Sequence, residues 1–156
     1  MGMTMKLLQI EENQLENIIR DNDLLFNLNP YDKNISLDID KSWDILTFLL
    51  NKIDSVSELS QIICSGQTIG NFDSYDIFEV NYLSADQVKK IIIELNKITE
   101  SDLQKAFDAD AINSQEIYLS PIDESAFNCI PEIFKKIQNF YTNAVKNKYA
   151  IISFIS

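Results

Sequence analysis

Three aspartates, Asp38, Asp40 and Asp44, stand at spacings that could gather carboxylates at one point. Asp38 and Asp40 fall on one side of an extended segment, and Asp40 and Asp44 on one side of a helix start. Such a group could supply the oxygen ligands that Mg²⁺ or Ca²⁺ takes. The simpler expectation is structural. Asp40 caps the helix that follows, and its neighbours favour the positive end of the helix dipole. Asp108-Ala109-Asp110 opens like a calcium loop. Asn113 then stands where the loop needs glycine, and Leu119 where it needs glutamate. Cys64, beside Ser65-Gly66, is a candidate nucleophile in a turn. A reactive thiol needs a partner that lowers its pKa or relays its proton. The chain has no histidine, no Cys-x-x-Cys, no Gly-x-Ser-x-Gly and no glycine-rich phosphate loop. The commonest general base and metal ligand is therefore missing. Paired carboxylates can still act as acid and base, but with 24 acidic residues a close pair has little specificity. No catalytic residue, metal or cofactor is expected.

The surface offers a different chemistry. Net charge is −11, from 13 basic and 24 acidic residues among 156. That balance opposes general nucleic-acid binding, which needs a basic face. Arg20 is the only arginine, so bidentate phosphate clamps are also unsupported. Residues 1–60 carry −6, residues 61–130 carry −8 and residues 131–156 carry +3. An acidic face attracts a basic partner, as in nuclease-inhibiting immunity proteins. Candidate contacts are Asp38, Trp43, Asp44 and the segment with Asp73, Tyr75 and Asp76, which mixes acids with an aromatic. Trp43 lies beside its helix's apolar stripe, where it closes the core edge or meets a partner. The expected function is thus a non-catalytic acidic domain that docks a basic protein, in its most concrete form a toxin-neutralising immunity protein. The alternative is an enzyme or small-molecule binder using carboxylates in a pocket. No nucleic-acid or membrane partner is expected, and the oligomeric state is left open.

These residues need a scaffold. The length suits one domain, spanning 1–156, with a core that needs no staples. Neither a secretory signal nor a membrane-spanning apolar run is visible. The expectation is a cytoplasmic protein in which Cys64 and Cys129 are buried free thiols. Residues 3–10 read as a first strand and Glu11 to Arg20 as a short helix. Asn22 to Asp32, with Asn29-Pro30, reads as a broken helix and loop. A helix follows from Lys41 to about Lys52. Residues 59–64 read as a strand and turn. Phe78, Val80 and Tyr82 alternate with polar residues, as in a half-buried strand. Ser84 and Gln87 form a capping box for a helix with Val88, Ile91, Ile92, Leu95 and Ile98 on one face. Ser101 with Gln104 repeats the pattern for a shorter helix ending near Phe107, and Asp108 to Asn113 adds a turn. Pro131 opens the last helix, whose stripe is Ile133, Ile137, Phe140, Tyr141, Ala144 and Val145. Tyr149 to Ile155 is apolar on both alternating faces, which predicts a central strand covered on both sides. The sum is an α+β domain: a small mixed sheet, with strands at both ends of the chain, packed against several helices.

The chain resembles the YfbM-like family of small bacterial proteins. The matching pieces are Met1-Gly2-Met3 and Leu37-Asp38-Ile39-Asp40-Lys41-Ser42-Trp43, with the helix ending Phe48-Leu49-Leu50. They continue with Gly66, Ile69-Gly70, Tyr82-Leu83-Ser84, Leu103, Phe107-Asp108 and Ile117-Tyr118, then Phe140-Tyr141 and Ala144 before the closing strand. The likeness spans essentially the whole chain. Asp44 stands where the family often has histidine, Ser65-Gly66 replaces a frequent Gly-Gly, and Leu119 to Ile122 lacks a frequent tryptophan. The resemblance implies an α+β fold and a cytoplasmic location, and no reaction. If that histidine acts in relatives, Asp44 has removed its chemistry here.

Overall fold

The computed structural model describes residues 2–54, 58–63, 67–70, 72, 77 and 79–156. Its strands are β1 (Met5–Glu11), β2 (Ser36–Asp40), β3 (Glu79–Leu83) and β4 (Tyr149–Ile155). They form one sheet in the order β2-β1-β4-β3. Its helices are α1 (Glu12–Arg20), α2 (Trp43–Ile53), α3 (Ala85–Leu95), α4 (Glu100–Ala106), α5 (Ala109–Ser114) and α6 (Ile130–Asn147). The α+β class holds. The sheet, expected to be mixed, is antiparallel at every pairing among the described residues. Each connection re-enters the sheet at the end it left, so no parallel crossover arises.

Strand β4 is central, as its two-faced apolar pattern requires. Leu8 pairs with Ile152, and Val80 with Phe154. Alternate residues feed two cores. Met5, Leu7, Ile39, Leu83, Ile151 and Ile155 face the larger core, which α2 to α6 cover. Leu8, Ile10, Val80, Ala150 and Ile152 face the smaller one, beneath α1 and a 3₁₀ segment at Asn22–Asn27. Strand β3, expected to be half-buried, buries Val80 on one side and Asn81 on the other. Phe78 lies outside the described residues.

Local chemistry explains the elements. Glu11 and Gln14 box the start of α1, which buries Leu15 and Ile18. Ser84 and Gln87 box the start of α3 as expected, and Val88, Ile91, Ile92 and Leu95 are buried. The next helix is capped by Thr99, two residues before its expected cap. Thr99 accepts from the Asp102 N–H at 3.2 Å, and Asp102 accepts from the Thr99 N–H at 2.8 Å. The hydrogen bonds that the carboxylate accepts from the Thr99 N–H and hydroxyl hold the Asp102 carboxyl below its usual value. Asp108 caps α5, accepting from the Ala111 N–H at 3.0 Å. In α6 the buried face is Ile130, Phe134, Ile137, Tyr141 and Ala144, while Ile133, Phe140 and Val145 are only partly buried. Tyr141 is wholly buried, and its hydroxyl donates to the Ile62 carbonyl at 3.1 Å. That burial pushes its pKa up. The stretch expected as a strand at 59–64 is a 3₁₀ helix over Glu58–Ile62. Cys64 lies outside the described residues.

Candidate functional site

The three aspartates do not converge. Asp40 ends β2 in the left-handed region at φ 49°, which aspartate tolerates better than most residues. It does not cap α2. Ser42 holds the cap position, but its hydroxyl donates to the Ile39 carbonyl instead of accepting from the helix. Asp38 accepts from the Asp40 N–H at 2.8 Å and pairs with Lys6 at 2.9 Å. Asp44 sits in the first turn of α2, where the dipole favours it. Its carboxylate accepts from the Tyr118 N–H at 2.7 Å. No group of three metal-ligating side chains exists among the described residues.

Trp43 and Asp44 belong to a clasp. Tyr118 stacks on Trp43 with centroids 6.2 Å apart. The Tyr118 hydroxyl accepts from the Met3 N–H at 2.7 Å, and the Trp43 indole N–H reaches the Met3 carbonyl at 3.5 Å. A Cβ at Gly2 would meet Tyr118 Oη at 2.4 Å and Lys41 Cε at 2.7 Å. So three distant segments, 2–3, 41–44 and 118, close one edge of the larger core. Two of the expected partner contacts are therefore committed inside the fold. Asp38 is separated from them, on the opposite face of the sheet, and is half-exposed. Asp73, Tyr75 and Asp76 lie outside the described residues. Cys129, expected to be buried, is exposed, because it sits at the α6 cap and faces away from the apolar stripe.

Among the described residues, an apolar cleft lies over the smaller core, beside a more polar hollow of about 200 Å³ lined by Gln14, Asn17 and Asn27. Leu8 and Phe154 of the sheet line the cleft, with Leu25, Phe26, Leu28, Pro30 and Ile77. Its volume is about 180 Å³. Phe26 makes an edge-on contact with Phe72 at 5.7 Å, yet remains 44% exposed. Tyr31, next along the chain from Pro30, is 78% exposed. The Lys6 ammonium lies 5.0 Å from the Tyr31 ring centroid while it pairs with Asp38. This puts Asp38 at the margin of an aromatic face. The surrounding layer is the acidic one. Residues 11–40 hold eight acidic and two basic side chains, net −6.

Sequence reasoning missed Phe26, Leu28, Pro30 and Tyr31. The signal was the density of apolar side chains at 24–31, higher than a solvated loop requires.

No helix among the described residues is long and apolar enough to cross a membrane. The chain has no match among curated proteins. It is similar in fold to a solved structure, a protein of unknown function, YfbM, from Escherichia coli. Identity is 19%, the TM-score is 0.76, and the match covers 98% of this chain and 99% of that one. A family model described as a domain of unknown function (DUF1877) matches residues 1–154. The chain belongs to that family.

Proposed function

We propose that this protein is a non-catalytic binding domain whose acidic face docks a basic protein, the cleft taking one apolar side chain from the partner. The observation that carries this reading is an apolar cleft with exposed Phe26 and Tyr31 at its side, set in a layer of net charge −6. Size helps decide between partners. Substrate and cofactor pockets usually run from about 300 to 1,000 Å³. A cavity of about 150 Å³ holds a single benzene ring. At about 180 Å³ the cleft suits one ring or one branched aliphatic group. That is the scale of an anchoring residue at a protein interface. Carboxylates around it supply steering and discrimination for a cationic partner. Asp38 and Asp44, whose spacing could suit a metal, are engaged by Lys6 and by the Tyr118 backbone. A toxin-neutralising immunity role is the most concrete form of the proposal.

The test uses fluorescence anisotropy with a labelled lysine-rich peptide bearing one central phenylalanine. The expected result is saturable binding that weakens as salt rises. The alanine version of the peptide and the Phe26→Ala protein should each bind at least tenfold more weakly. Equal binding by either control rejects the cleft as the anchor site. For the immunity form, co-expression with the product of the neighbouring gene should suppress that product's toxicity.

A further inference from the structure

The remaining exposed large hydrophobic among the described residues lies on the other side of the sheet. Ile19, Phe26 and Tyr31 belong to the acidic layer, whereas Ile93 projects from α3 and is 59% exposed. Lys89 and Lys90 share its side of the helix, four and three residues away, and Lys97, just beyond the helix end, pairs with Glu94 at 2.7 Å. Alongside, α6 extends the basic surface. Gln138 Nε2 ties it to the Leu95 and Ile98 carbonyls at 3.0 and 3.3 Å. Residues 85–97 and 130–148 together carry seven lysines and three acidic residues, net +4 on a molecule of −11. One face thus presents an apolar knob among ammonium groups. The opposite face presents an apolar hollow among carboxylates.

We propose that copies of this chain associate head to tail, with Ile93 of one copy seated in the Leu8–Leu28–Phe154 cleft of the next. This rests on the reading of the cleft as a receptor for an apolar residue flanked by cations. A second copy presents that residue on a rigid helix, with Lys89 and Lys90 placed to meet the carboxylates. The two faces lie on opposite sides of the sheet, so no copy can fill its own cleft. The contact is heterologous and does not close as a dimer, so each added copy leaves one knob and one cleft free. The net charge of each molecule opposes assembly, and salt sorts the two effects. At about 0.1 M the screening length is about 10 Å, so repulsion across whole molecules fades while the facing charges still attract. An external basic partner would compete for the same cleft and dissolve the assembly.

Sedimentation velocity across a concentration series, at about 0.1 M salt, tests this. The native chain should grow in mean mass with concentration. Ile93→Asp should remain monomeric, as should a separate Leu28→Glu variant. An equimolar mixture of the two should form a dimer and stop there, because Leu28→Glu retains a knob and Ile93→Asp retains a cleft. If Leu28→Glu fails to fold, judged by circular dichroism, Phe26→Asp, which also alters the cleft and keeps the knob, replaces it in both tests. That variant should also stay monomeric. A native chain that is monomeric throughout, or an Ile93→Asp variant that assembles like it, overturns the proposal. If assembly is absent while the lysine-rich peptide still binds through Phe26, only self-docking fails. If peptide binding is absent too, the reading of the cleft falls with it.

Discussion

The two faces of the sheet are covered unequally. On one, helices α2 to α6 wholly bury Leu46, Ile151 and Tyr141 around a large core. On the other, α1 and a six-residue 3₁₀ segment shelter a smaller cluster and leave Phe26 and Tyr31 largely exposed. Both faces are built on the same strands, and β4 feeds both. The difference lies in the covering layer and its charge. The thick side holds the molecule together. The thin side retains apolar surface beyond what the fold uses, inside a stretch of net charge −6.

The sharpest way to break this division is a matched pair of truncations. Ile151→Ala in the larger core should cost about 2–5 kcal/mol by urea denaturation. Phe26→Ala in the thin layer should cost about 1 kcal/mol or less and weaken peptide binding at least tenfold. Similar losses from the two would erase the distinction. Gly2→Ala tests the clasp at the edge of the thick side. The added methyl group has no room, so Tyr118 must shift. A cost of about 1–3 kcal/mol is expected. Trp43 is the only tryptophan, so its emission should move to the red as its stacking loosens.

Tyr141 probes the seal of the larger core through pH. Burial raises its pKa in the folded state above the unfolded value of about 10. The unfolded chain therefore releases the phenolic proton first. Stability is fully present below about pH 10 and falls above it, by about 1.4 kcal/mol per pH unit. Tyr141→Phe should lose about 1 kcal/mol at neutral pH, with the hydrogen bond to Ile62. It should also lack this part of the alkaline slope, so the two stability curves converge near pH 11. Parallel curves would mean that water reaches the hydroxyl. The smallest expected effect separates neighbouring caps on the thick side. Thr99→Ala should cost about 1 kcal/mol and Ser101→Ala only a few tenths, in paired thermal melts.

Legibility followed the range of the interactions. Helix α3 and strand β4 were plain in the sequence because their periodicity and Ser84-x-x-Gln87 are local signals. The 3₁₀ helix over Glu58–Ile62 was read as a strand, since a short apolar run does not distinguish the two. Two overlapping capping patterns, Thr99 with Asp102 and Ser101 with Gln104, left the start of α4 ambiguous by two residues. Asp40 looked like a cap because type and spacing fit; its left-handed backbone is imposed by the turn out of β2. The cleft draws on Leu8, residues 25–30, Ile77 and Phe154, and the clasp on Gly2, Trp43 and Tyr118. Sites assembled over such separations leave no periodic trace.

The adjacency of β1 and β4 also sets a timetable. Thr4 and Ser156 exchange hydrogen bonds at 2.8 and 3.0 Å, continuing the β1–β4 pairing, so β1 pairs with a strand synthesised long after it. At about 5–20 residues per second, β1 leaves the ribosome on the order of ten seconds before its partner exists. During that interval Leu7, Leu8 and Ile10 have no finished sheet to enter. The nascent chain is then at its stickiest, and a chaperone that recognises short apolar segments would have its longest opportunity at this strand.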